Sequence, residues 1–276
     1  MRRRATLIPL VAALAASLGG CGGDDPTTPG PPANPEALLH STLAKPVRSA
    51  RTRSEIQLEL AGASALSGPV TVELEGPYVA AGSGFPRFDW TGNADVLGFE
   101  VDGELVSLGD NLLVGIYGDG YEVGTAEFAS VMERLSGIGF PARELLGGVR
   151  YEGREEVDGV EADHVSAELE GEELSGRLGP LADLLGLEHQ PVPVGRVDAW
   201  IAVEGEVLRK LSVELAFEIA RPDRASVGGA SGGRLEAEVV LDDVNEPQSL
   251  PERPRGVYKP ISDLLSTIGE LGAYAN

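Results

Sequence analysis

The chain has 276 residues, 42% of them hydrophobic, and 44 acidic against 22 basic side chains give it a formal charge of −22. A surface this acidic repels phosphates and anionic lipid headgroups, which excludes nucleic acid as a partner and a basic patch as the means of holding a membrane. The single cysteine excludes a disulfide framework, while the length suits one sizeable domain or two small ones.

Arg2, Arg3 and Arg4 precede an uncharged run from Ala5 to Leu18. A basic start, a short apolar stretch and then small residues form the layout of a secretory signal, and the run is too short for a permanent span. Leu18-Gly19-Gly20-Cys21 resembles the bacterial lipobox. That resemblance implies a diacylglycerol on the Cys21 thiol and cleavage before it, so residues 1–20 read as a lipoprotein signal peptide. Two or more acyl chains give stable attachment at about 0.8 kcal/mol per buried methylene, which gives a lone thiol a physical use. The expected location is the cell membrane, lipid-anchored on the extracytoplasmic side. Loss of residues 1–20 removes three arginines and takes the formal charge to −25.

Residues 21–36, CGGDDPTTPGPPANPE, have no apolar periodicity and read as a Pro/Gly-rich tether. From residue 37 to 276 no internal linker is visible, which favours one domain; two halves splitting near Gly147 are the other reading. Leu38, Leu39 and Leu43 are at helical spacing, with Pro35 suited to the first turn and Pro46 to ending the helix. Ile56, Leu58 and Leu60 then alternate with polar residues, as do Val70, Val72 and Leu74, and the spacing predicts an antiparallel strand pair. Further strands are predicted around FPRFDWTG, VLGFEVDGELVSLGD and NLLVGIYGDGYEVG, with hairpin turns at Asp102-Gly103 and Asp119-Gly120. TAEFASVMERLSG changes to helical spacing. Strands resume at GVRYEGREEVDGVEADHVSAELE, turning at Asp158-Gly159, and a short helix is predicted in EELSGRLGPLADLLGLE. RVDAWIAVEGEVLRKLSVELAFEI gives two long strands joined at Glu204-Gly205, and RLEAEVVLDDV the last. A C-terminal helix is expected at about 260–272, where Ile261, Leu264, Leu265, Ile268 and Leu271 share a face. Many antiparallel strands with a few helices and no βαβ alternation make an α+β domain.

Candidate chemistry is sparse. His40, His164 and His189 have no metal-ligand spacing and no thiol beside them, so no metal or other cofactor is expected. His164 alternates with Val165 and should point to the polar face of its strand. Gly229-Ala230-Ser231-Gly232-Gly233 matches G-x-S-x-G, but it lies in a flexible run entering a strand and not on a strand-to-helix turn. A hydrolase would need Ser231 and His164 within hydrogen-bond reach. The expectation is a protein that is not an enzyme.

Three stretches are together similar to the mycobacterial LppX/LprG/LprA/LprF (LppX/LprAFG) lipoproteins and their actinobacterial relatives: VRYEGREEVDGVEADHVSAELE, DAWIAVEGEVLRKLSVEL and VVLDDVNEPQSLPERP. The resemblance covers roughly residues 37–254. It implies a LolA-like fold, a strongly curved antiparallel sheet (a half-barrel) wrapped around a few helices. It also implies an apolar cavity binding acyl chains of a lipid or lipoprotein and carrying them in the cell envelope. The residues expected to line such a cavity are Ile56, Leu58, Leu60, Val70, Val72, Leu74, Val165, Trp200, Leu211, Val213, Leu215 and Phe217. They would equally suit a sheet simply packed on its helices, and both readings stay open here. The expected partners are a lipid or acylated ligand and the membrane through Cys21. The alternative is a non-enzymatic interaction or sensor module of the same fold with an envelope protein partner.

Overall fold

The computed structural model describes residues 30–63, 68–81, 85–96, 98–126, 128–129, 146–169, 174–175, 187–189, 191–225, 227–250 and 257–264. The signal-like segment, Cys21, most of the tether, and most of the helices expected after Thr125, in 172–188 and in 260–272 fall outside them. Among the described residues, no helix is long and apolar enough to cross a membrane.

Helix α1 (Pro35–Ala44) begins where Asn34 caps it, its side chain accepting the Ala37 N–H at 3.0 Å, with Pro35 in the first turn. It ends at Lys45, whose extended backbone is what a following proline imposes.

Among the described residues, twelve strands form one sheet: β1 (Ser49–Ala61), β2 (Val70–Val79), β3 (Arg87–Val96), β4 (Phe99–Ser107), β5 (Leu112–Ile116), β6 (Asp119–Glu122), β7 (Leu146–Val157), β8 (Val160–Leu169), β9 (Val194–Ala202), β10 (Leu208–Glu218), β11 (Gly232–Asp242) and β12 (Lys259–Pro260). The sheet is curved, open and almost wholly antiparallel, in the order β12-β6-β5-β4-β3-β2-β1-β11-β10-β9-β8-β7. The chain meanders outward from β1 to one edge, restarts at the opposite edge with β7, and meanders back until β11 meets β1. Strands from both sides of Gly147 therefore belong to a single sheet, joined at its centre by eleven consecutive β1–β11 partners.

The turns separate correct expectations from incorrect ones. Asp158 and Gly159 connect β7 to β8 with φ of 48° and 80°, the left-handed pair a tight hairpin needs. Asp102-Gly103 is not a turn: both residues lie inside β4, opposite Asn93 and Gly92, and the reversal falls at Gly98 (φ 80°). Asp119-Gly120 lies inside β6, and the turn is two residues earlier, at Tyr117 (φ 51°) and Gly118 (φ 85°). Gly120 serves packing instead. A β-carbon there would stand 2.9 Å from the ring of Tyr258, in the segment that leads to β12.

Candidate functional site

Strand alternation gives each residue a face, and the pairing register carries that face from strand to strand. The inner face is the one on which α1 lies. There Leu39, fully buried, packs on Val165, Ala167, Ala199 and Ile201. Followed across the sheet, one inner row reads Ala167, Val197, Val213, Ala237, Ile56, Val72, Ala94 and Val101. Eight strands contribute to this row, and every residue in it is apolar.

Coverage of this face is uneven. Under α1 the inner face is sealed, with Ala167 and Ala199 buried, while Ile56, near the middle of the row, is 40% exposed. A large aliphatic side chain left this open on an apolar surface is unmet hydrophobic area, worth about 25 cal/mol per Å2 once covered.

Ile56, Leu58, Leu60, Val70, Val72, Leu74, Val165, Leu211, Val213, Leu215 and Phe217 share the inner face by register. Trp200 does not, and its assignment to the lining is corrected. It alternates with Ala199 and Ile201 and therefore faces outward, where its ring stacks on His164 with centroids 4.3 Å apart. The reason is steric as well as polar. Small residues such as Ala199 and Ala167 let α1 approach the inner face, and an indole would hold it off.

The outer face is polar. His164 lies between Glu155 (Nδ1 to Oε1, 3.1 Å) and Asp198 (Nε2 to Oδ1, 2.7 Å), as its alternation with Val165 predicts. Trp200 Nε1–H donates to Glu155 at 3.0 Å, Arg196 reaches Asp198 twice at 2.7 Å, and Lys210 Nζ sits 4.7 Å from the Trp200 ring centre. The Trp200 hydrogen bond holds the Glu155 carboxyl below the usual range, with His164 adding to it. Burial works to raise Asp198, but the hydrogen bonds from Arg196 and His164 prevail and lower it. Carboxyls lowered in the folded state contribute stability that is present above their unfolded pKa and is lost as pH falls through the folded one. A midpoint temperature that declines from roughly pH 4 downward is therefore expected. Asp198→Asn should flatten that decline, and an unchanged acid limb in thermal scans would contradict it.

Ser231 and His164 are not brought together. The Ser231 hydroxyl donates to the Ala61 carbonyl at 3.2 Å, whereas His164 lies in the lateral row of Trp200, Lys210 and Val240. Along β11 Ser231 is nine residues from Val240, roughly 30 Å at strand rise. Depressions of about 760 Å3, beside Val194 and Arg234, and about 500 Å3, beside Glu55 and Glu73, also lie on the outer face. His189 lies apart, its backbone N–H donating to the buried Asp223 carboxylate at 2.9 Å. Among the described residues, no group of three metal-ligating side chains occurs.

One inner-face feature was not singled out from the sequence. Phe88 and Trp90 of β3 stack with centroids 4.0 Å apart, and Tyr78 stands opposite Phe88 on β2. The alternation of aromatics in Phe88-Asp89-Trp90 was the available signal.

No family model matches the chain, and no curated protein matches it. Among solved structures it is similar to the lipoprotein LppX of Mycobacterium tuberculosis, at 16% identity and a TM-score of 0.47, over 78% of this chain and 97% of that one. It is similar to LprF of Mycobacterium bovis at 15% identity and a TM-score of 0.46, over 82% and 99%. A LolA superfamily protein of Nitrosomonas europaea follows at 9% identity and a TM-score of 0.22, over 80% and 96%. LppX and LprF are members of the group that the sequence motifs resemble.

Proposed function

We propose that this chain is a lipid-anchored protein of the cell envelope that shelters acyl chains of a lipid or lipoprotein against the inner face of its sheet and carries them between sites in the envelope. The observation that supports this reading is the apolar row across eight strands with Ile56 standing 40% exposed near its middle. Burying ten methylenes against such a surface contributes roughly 8 kcal/mol before ordering costs, enough for a carrier that forms no covalent bond to its cargo. In this reading residues 1–20 are removed, Cys21 is acylated, residues 21–36 are the tether, and residues 37–276 form one domain.

Organic extraction of the purified full-length protein, followed by mass spectrometry, tests the cargo. A reproducible acyl lipid near one per chain is expected, and extracts without lipid speak against the proposal. The anchor is tested separately by Cys21→Ser, which should move the protein from the membrane fraction to the soluble one. A variant that stays with the membrane would overturn the tether.

A further inference from the structure

Trp90 lies on the inner face of β3, opposite Leu105 of β4 and over Gly76 of β2. The fit to Gly76 is close: a β-carbon there would stand 1.9 Å from the Asp89 carbonyl oxygen and 3.0 Å from the indole Cδ1, so a larger residue would force the two strands apart beside the ring. Phe88 stacks on the indole with planes 13° apart, and burial pushes the phenol of nearby Tyr78 up, the mark of apolar surroundings. In this setting the indole Nε1–H is buried and has no hydrogen-bond acceptor among the described residues. The other tryptophan is different, since Trp200 donates its N–H to Glu155. A buried donor left unpaired costs about 1–3 kcal/mol, and such groups usually have a partner.

We propose that Trp90 Nε1–H donates to a carbonyl oxygen, ester or carboxyl, at the polar end of a bound acyl chain. The Phe88–Trp90 stack then marks where the hydrocarbon ends, and the chain runs across β2, β1 and β11 toward Val213 on β10. Four strand spacings separate β3 from β10, about 19 Å, and Trp90 lies four residues along β3 from the row of Val213, about 13 Å, so the diagonal is about 23 Å, the reach of a fully extended long-chain acyl group. This inference rests on the carrier reading and adds the polarity of the cargo to it.

Two lysophospholipids of equal chain length separate the two ideas, one with a palmitoyl ester and one with a hexadecyl ether that lacks the carbonyl. The full chain, labelled with 15N at its two tryptophans, is titrated with each, and Trp90→Phe keeps a ring in the stack while deleting the donor. The ester should shift the Trp90 indole N–H resonance downfield and leave that of Trp200 in place. It should also bind about fivefold more tightly than the ether, a preference that Trp90→Phe abolishes. Equal affinity for the two lipids, an unmoved Trp90 resonance, or a preference that survives in Trp90→Phe overturns the inference while leaving the carrier reading standing. Binding of neither lipid overturns both.

Discussion

Leu39→Ala is expected to lower stability by about 2–5 kcal/mol, with a fall in Tm on the order of 10 °C. Leu39 is fully buried and is the residue through which α1 reaches Val165, Ala167, Ala199 and Ile201. Truncation removes apolar burial and leaves a void between a short helix and strands β8 and β9, neither of which can collapse into it without disturbing their pairing. Thermal unfolding by circular dichroism checks this, and a shift below about 2 °C would show that α1 is not anchored on the sheet.

The second large effect separates binding from folding. Ile56→Asp is expected to weaken binding of a palmitoyl lysophospholipid by at least about tenfold while costing far less stability than Leu39→Ala. A carboxylate at position 56 keeps its water in the free protein, because the site is 40% exposed, but must shed it when hydrocarbon covers the site. Glu55→Gln, on the neighbouring outward position of β1, should leave affinity unchanged. Calorimetric titration of the three proteins decides the matter. Equal affinity in the wild type and Ile56→Asp would remove the inner face from the account.

The strand pattern was largely legible because alternation is written into single segments. Ile56, Leu58 and Leu60 announce β1 without help from any neighbour, and Asp158-Gly159 announces its own turn. What failed depended on partners. Asp102-Gly103 and Asp119-Gly120 have turn chemistry, yet register places one opposite Asn93 and Gly92, and the second glycine is required beneath Tyr258. Trp200 was misplaced for a related reason. The sequence WIAV does not say which parity faces the helix; that is decided by Ala199 lying under α1 and by His164 offering a stacking partner. Trp90 was read only as part of a strand, since the lack of an acceptor for its N–H is a property of the assembled face and not of FPRFDWTG.

In the proposed reading an acidic protein handles lipid by keeping its charge and its apolar surface on opposite faces of one sheet. Polar and charged groups are gathered on the outer face, where Glu238, Glu55 and Glu73 stand side by side across β11, β1 and β2. Such a surface is repelled by anionic headgroups; in the proposed reading, attachment falls to an acylated Cys21 and cargo contact to the inner face.

The most direct measurement is intermolecular nuclear Overhauser contact between the methylenes of a bound acyl lipid and methyl-labelled Ile, Leu and Val of the full chain. The account predicts contacts to Ile56, Val72 and Val213 on the inner row and none to Val240 or Val194 outside it. Contacts confined to the outer valines, or a lipid that touches no methyl of the inner row, would contradict it.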